Sequence, residues 1–338
     1  MRRHMRRIAG FVVALAAVAC AALAVTSAQA PAAQPLPSIK VQGDVYMVVG
    51  AGGNIALQIG DDGVLLVDTG TAEAAPRVIA TVRSLTDKPI RYIIDTSADA
   101  DHVGGNDAVG RLGSTIAGGN VGAGAGVGAG IIAHENVLNR MSAPTGKTSP
   151  FPTTAWPTDT FVSKQKEIYF NGEAVTAIYK PGHTDGDSIV YFRRSDVIAA
   201  GELYNTVTYP VIDLARGGSI KGVLNALNDM LDIAIPKAMQ EGGTYIIPGK
   251  GRLTDEADLL EYRDMVTIIR DRVQDAIKRG QTLDQVKSAN FTLDYDKRWG
   301  ATSGPWTTDM FIEAVYKDLS KTNEAPKPAA AKAPAKKK

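Results

Sequence analysis

Four short segments of this 338-residue chain carry side chains able to do chemistry. They are Thr96-Ser97-Ala98-Asp99-Ala100-Asp101-His102-Val103-Gly104-Gly105-Asn106, Pro181-Gly182-His183-Thr184-Asp185-Gly186-Asp187, Gly201-Glu202 and Pro248-Gly249-Lys250-Gly251. Each follows a run with β character, and loops at strand ends are where a rigid scaffold presents reactive groups. Imidazole suits zinc, whereas carboxylates suit harder ions such as Mg²⁺, Mn²⁺ or Ca²⁺. A protonated lysine has donors and no lone pair, so Lys250 is not a ligand while charged.

The elements that must position these loops read as follows. Short β-rich runs cover Val45 to Val49, Asn54 to Ile59 and Val64 to Asp68, with Gly52-Gly53 and Asp61-Asp62-Gly63 as turns. A helix is expected from Ala72 to Leu85, and Arg91 to Asp95 is a buried-type strand feeding the first loop. Ile131 to Met141 reads as a helix. A second strand-rich block spans Glu167 to Tyr179, Ser188 to Phe192 and Val197 to Gly201. A helix over Ser219 to Ile233 precedes the strand Tyr245-Ile246-Ile247, and Glu256 to Lys278, Leu283 to Ser288 and Thr308 to Leu319 close the body as helices. Two strand-rich halves, each ending in helices, predict an α/β domain of two face-to-face sheets with helices outside.

In order, spacing and flanks, the four loops resemble the metallo-β-lactamase superfamily, whose first motif runs Thr-His-x-His-x-Asp-His-x-Gly-Gly-Asn. Val67-Asp68-Thr69-Gly70 and the closing Pro-Gly-x-Gly support the likeness, which covers roughly residues 40 to 255. The resemblance implies a four-layer αβ/βα sandwich, here with extra C-terminal helices, and a site along one edge between the sheets. Residue by residue, Asp101, His102 and His183 agree with the family's ligands. Ser97 and Asp99 stand where the family has two histidines, Glu202 where it has a bridging Asp, and Lys250 where it has the last His. A typical member uses five His and two carboxylates to hold two zinc ions, so the second metal position is compromised here. The first retains His183, with Asp99, Glu202 and His102 as its further ligands; Asp101 is also a candidate ligand, and Ser97 a more remote one.

Asp99, Asp101 and Glu202 bring three negative charges and Lys250 one positive. Burying the remainder uncompensated is costly. One divalent ion neutralises it, and so do two protonated histidines. The first solution is a hydrolase with one divalent metal (Zn, Mn, Mg or Ca) acting on a small-molecule ester, amide, lactam, lactone or phosphoester, with Asp101 handling the proton and Lys250 steadying the oxyanion. The second is a catalytically inactive relative with no metal, serving as a ligand-binding or scaffold protein.

Composition bounds the rest. Arg2, Arg3, Arg6 and Arg7, an apolar run from Ile8 to Val25 and the small-x-small site Ser27 to Ala30 form a secretory signal-peptide pattern over residues 1–30. Residues 31–40 form a Pro-rich spacer, 41–319 the domain, and 320–338 a Lys/Ala/Pro tail expected to be disordered. A periplasmic or secreted location follows. Cys20, the only cysteine, falls in the leader, which excludes a disulfide framework or thiolate chemistry in the remainder. The formal net charge is +1; setting aside the four leader arginines, then the tail's six Lys and one Glu, leaves the body near −8. An acidic body argues against nucleic acid as a partner; the tail is a candidate for weak contact with anionic envelope components.

Other residues have plainer readings. His134 is expected on a helix with an ordinary hydrogen bond. Gly118 to Gly130 lacks the dinucleotide spacing and reads as a loop, a flexible insertion or a lid beside the cleft. Gly146-Lys147-Thr148 lacks the earlier glycine of a phosphate loop. Asp185 and Asp187 shape the turn holding His183, Asp68 buttresses the first loop, and Trp156, Trp299 and Trp306 are packing residues.

Overall fold

Alternation along the strands sets the layering. In β4 (Gly63–Val67), Leu65 and Val67 point into one apolar cluster while Val64 and Leu66 point into another. β10 (Ser188–Phe192), β11 (Val197–Ala199) and β12 (Tyr245–Ile247) repeat the pattern: Val190, Val197, Ala199 and Ile247 face the first cluster, and Ile189, Ile198 and Ile246 face a third. Strands apolar on both faces must be covered on both faces.

The computed structural model describes residues 33–114, 128–144 and 149–323. The leader, the Gly-rich tract from 118 to 127, Gly146-Lys147-Thr148 and the tail from 324 lie outside the described residues. Within them, one sheet runs β1 (Ser38–Gln42), β2 (Val45–Val48), β3 (Ile55–Gly60), β4, β5 (Ile90–Ile94), β6 (Gly130–His134), β7 (Asp159–Phe161). The other runs β13 (Thr254–Asp255), β12, β11, β10, β9 (Glu173–Tyr179), β8 (Gln165–Phe170). Their facing sides share the central cluster, Leu65 and Val67 meeting Val175, Val190 and Phe192. Outside the first sheet lie α1 (Ala75–Leu85) and α3 (Asn106–Arg111), which follows the short α2 (Ala100–Val103). Outside the second lie α5 (Ile220–Ile233), α6 (Glu256–Lys278) and α9 (Thr308–Asn323), with α7 (Leu283–Ser288) and α8 (Asp296–Trp299) between them in sequence. This is the expected four-layer sandwich with extra C-terminal helices. No helix among the described residues is long and apolar enough to cross a membrane.

Two expectations change and one is refined. The run Ile131 to Met141 is not one helix: Ile131, Ile132 and Ala133 belong to the buried parallel strand β6, and the helix α4 (Glu135–Ser142) starts after it. His134 is therefore not on a helix face. It caps α4, its ring nitrogen accepting from Asn136 N–H at 3.3 Å, and stacks on Tyr179 with centroids 3.8 Å apart. The block Glu167 to Tyr179 is a hairpin, turned at Asn171 and Gly172, both at positive φ (52° and 76°). The spacer already packs: Leu36 is buried, its N–H bonds Thr81 Oγ1 at 2.7 Å, and β1 begins at Ser38.

Candidate functional site

All four loops leave strands at one edge of the sandwich. β5 delivers the segment from Asp95 to His102, β11 delivers Gly201-Glu202, β12 delivers Pro248 to Lys250, and the β9–β10 connection delivers His183. Backbone contacts lock these loops together. Gly201 adopts φ 54°, and a Cβ there would lie 2.6 Å from Thr96 Oγ1. At Gly249 a Cβ would run into the Gly201 carbonyl oxygen. Asn54 clamps the last loop: its N–H bonds Gly249 O at 2.7 Å, and its Nδ2 bonds Pro248 O and Gly251 O at 2.8 and 3.0 Å.

Asp68 organises the first loop from below, as its place after β4 suggests. It sits at φ 65° and accepts from Thr96 N at 2.8 Å, Thr96 Oγ1 at 2.7 Å and His102 Nδ1 at 2.7 Å. The other nitrogen of His102, Nε2, lies 3.2 Å from Glu202 Oε2. His102 is fully buried and Glu202 nearly so. Burial pushes the imidazole pKa down, but the charges and hydrogen bonds of Asp68 and Glu202 outweigh it and hold the ring well above its ordinary value. Burial likewise pushes Glu202 up; the hydrogen bond and charge of His102, with Lys250 adding to them, win and bring it to about 2.

Lys250 Nζ stands 2.8 Å from Asp101 Oδ2 and 3.2 and 3.3 Å from the two oxygens of Glu202. Burial lowers the ammonium pKa, and Glu202 and Asp101 more than restore it. Burial raises Asp101, and His102 and Lys250 bring it below its ordinary range. The lysine thus reaches the two carboxylates, as expected from its place in the last loop.

Asp99 and His183 form a separate group. Asp99 Oδ1 pairs with Arg216 Nη1, and its Oδ2 lies 3.5 Å from His183 Nε2. His183 Nδ1 faces Asp187 Oδ1 at 3.4 Å, while Asp187 also accepts from Thr184 N at 2.6 Å. Asp185 holds Arg140 at 2.5 Å, so both aspartates shape this turn. Ser97 is buried, and its hydroxyl accepts from Asp99 N–H at 3.2 Å.

Among the described residues, Asp101, His102 and Glu202 offer ligand atoms within 4.8 Å of one another. This differs from the grouping of His183, Asp99 and Glu202 read from the sequence, because Arg216 takes the carboxylate of Asp99. The trio fits a divalent cation by three criteria. It supplies one imidazole and two carboxylates, a set accepted by zinc and by harder ions. Asp68 fixes His102 through Nδ1, the arrangement that orients a metal-ligating imidazole. The 3.2 Å between His102 Nε2 and Glu202 Oε2 matches two ligands ~2.0–2.1 Å from one tetrahedral ion, which sit about 3.3 Å apart.

Sequence reasoning missed Arg216, Asn54 and Asp95. Asp95 is fully buried beneath the first loop; burial first, and the charge of Asp68 second, raise its pKa well above the carboxylate range, while Asn106 Nδ2 donates to it at 2.9 and 3.1 Å. Asn106 closes the Gly-Gly-Asn end of the motif, which was the available signal. For Arg216 the sequence offered no signal, because its partner Asp99 lies 117 residues away.

The tryptophans pack: Trp299 is buried against Tyr262, and Trp156 Nε1 donates to Phe151 O at 3.0 Å. Trp306 lines a cavity of about 460 Å³ with Ile212, Leu214, Arg216 and Met310, next to the Asp99 group.

Comparison with solved structures agrees with this architecture. A double mutant of the sec-alkylsulfatase PisA1 superposes with a TM-score of 0.61 at 17% identity, covering 87% of this chain and 52% of that one. The unsubstituted Pisa1 from Pseudomonas sp. gives 0.59 at 17% identity, with the same coverage. The chain thus spans about half the length of these sulfatase structures. A metallo-beta-lactamase from Pontibacter korlensis gives 0.52 at 16% identity, covering 69% of this chain and 99% of that one. At such identities the likeness is one of fold. No curated protein matches. The sequence profile described as the metallo-beta-lactamase superfamily matches residues 48–238. With more than half the chain matched, its four loops at one edge and the sandwich they cap, this protein belongs to the metallo-β-lactamase superfamily.

Proposed function

We propose that the protein is a hydrolase using one divalent cation held by Asp101, His102 and Glu202, acting on a small-molecule ester, amide, lactam or phosphoester; the likeness to a sec-alkylsulfatase adds sulfate esters to that list. The observation that carries it is the convergence of these three ligand atoms at the strand ends, with His102 pre-oriented by Asp68. A cation there supplies Lewis acidity and lowers the pKa of water near it toward neutrality. Asp101, the most accessible of the three, orients the attacking water and accepts its proton. Lys250 has its ammonium beside Asp101 and Glu202 and offers N–H donors to an oxygen gaining negative charge. The N-terminal pattern supports action in the periplasm or outside the cell, and the acidic body supports a small molecule rather than nucleic acid as the partner. The Lys-rich tail suits a weak contact with anionic envelope components.

Elemental analysis of protein purified without chelator, with calorimetric titration of Zn²⁺, Mn²⁺ and Ca²⁺, tests this reading. It expects one equivalent, lost in Asp101→Asn and His102→Ala. No stoichiometric metal and an unchanged Tm on adding each ion overturns it.

That outcome favours a second reading, supported by the 2.8 Å approach of Lys250 to Asp101. In it the ammonium itself neutralises the carboxylates, and the crevice binds a ligand without hydrolysing it.

A further inference from the structure

The half of the crevice around Asp99 and His183 is built around a side-chain cation. Arg216 pairs with Asp99 through Nη1 and with Asp213 through Nε at 2.6 Å. Its segment is stitched to the His183 loop: Asp213 N donates to His183 O at 2.9 Å, Asp185 N donates to Arg216 O at 2.9 Å, and Arg140 Nη2 donates to the same carbonyl at 2.7 Å. Gly217 adopts φ 81°, with a Cβ position only 2.9 Å from Asp185 Cβ, so the turn after Arg216 is moulded onto this loop. A guanidinium clamped by two carboxylates and by the backbone around it is fixed in direction.

Three candidate ligands read from the sequence, Asp99, Ser97 and His183, are thereby spent. Asp99 is held by Arg216, Ser97 Oγ accepts from the Asp99 N–H, and His183 lies between Asp187 and Asp99. We propose that Arg216 is the resident cation of this half of the site, a positioning residue that takes the place of the first metal and limits the protein to one exchangeable ion. The inference deepens the hydrolytic reading of the same crevice and rests on it for the single ion. Arg216 itself is 117 residues from Asp99 in sequence, so the substitution of a guanidinium for an ion is visible only in the fold.

Zinc and cobalt uptake, measured by elemental analysis and calorimetry on the full chain, tests it. Arg216→Gln is expected to take up one equivalent more than the parent, Arg216→Lys to match the parent, and Asp99→Asn/Arg216→Gln to lose the extra equivalent. Equal uptake by the parent and Arg216→Gln overturns the proposal. Should Arg216→Gln not fold, Asp99→Asn alone decides: unchanged uptake supports the proposal, and reduced uptake shows Asp99 to be a ligand and overturns it. Failure of the hydrolytic reading is distinguishable, because it appears as no ion in the parent while the difference between parent and Arg216→Gln persists.

Discussion

In one half of the crevice two carboxylates face a lysine, and in the other two carboxylates, Asp99 and Asp213, face an arginine. Lys250 is a compact charge on a four-carbon stem, 2.8 to 3.3 Å from Asp101 and Glu202, with no other anion among the described residues holding it. Arg216 is gripped on two sides and its own carbonyl is bound twice. An ammonium on a flexible stem keeps rotamer freedom, whereas a planar guanidinium bonded to two separate carboxylates is held in one orientation. Similar charge sums therefore give one exchangeable half and one sealed half.

Several experiments break or sharpen this contrast. The largest effect is expected at Glu202, which is buried between His102 and Lys250. Glu202→Gln leaves both cations short of their counter-charge and should lower unfolding free energy by about 3–5 kcal/mol in urea titrations. Asp99→Asn should lose only about 1–2 kcal/mol in the same assay, because Arg216 keeps Asp213. Equal losses at the two sites would remove the asymmetry.

The pH dependence of the metal-free protein follows from the same groups. Glu202 is held at about 2 in the folded chain against an ordinary 4.5, so its contribution is complete above about pH 4.5 and disappears as the pH falls toward 2. His102 is held above its ordinary 6.5, so its contribution is complete below about pH 6.5 and is lost as the pH rises through the folded value. Stability with chelator present should therefore peak between about pH 4.5 and 6.5. Glu202→Gln should shrink the acid limb, which urea midpoints across pH will show. Arg140→Ala, which frees Asp185 and the carbonyl of Arg216, should cost about 1–2 kcal/mol and leave metal uptake at the Lys250 side intact. The smallest effect belongs to an exposed pair far from the crevice: Lys88→Ala should change stability by no more than about 0.5 kcal/mol, the scale against which the others are judged.

Much of this was legible in the sequence, for definable reasons. The strand at Ser188–Phe192 and the helices at Glu256–Lys278 and Leu283–Ser288 begin and end where their apolar pattern and caps begin and end; Asp255 and Thr282 accept from the first turns of those helices. His134 was misplaced because Ile-Ile-Ala fits a buried strand and a buried helix equally well until a neighbouring strand is known. The positions of His102 and Lys250 were readable from loop motifs. Arg216 was not, since its meaning comes from an aspartate on a different sheet's loop, and one sequence shows no such pairing. Asp95 was passed over because it looks like the end of a strand, and only its burial beside Asp68 sets it apart.

The last step concerns the order in which the molecule is assembled. β11 and β12 run parallel, Val197 beside Tyr245 and Ala199 beside Ile247, although one carries Glu202 and the other Lys250 at its exit. Parallel neighbours cannot be joined by a tight turn, so α5 and its flanking segments must cross over before they meet. Entropy makes such a distant closure late. Until it happens, Glu202 has no lysine and Asn54 has no loop to clamp. A product cut short before residue 245 keeps the histidines of the motif loops and lacks both the strand β12 and Lys250.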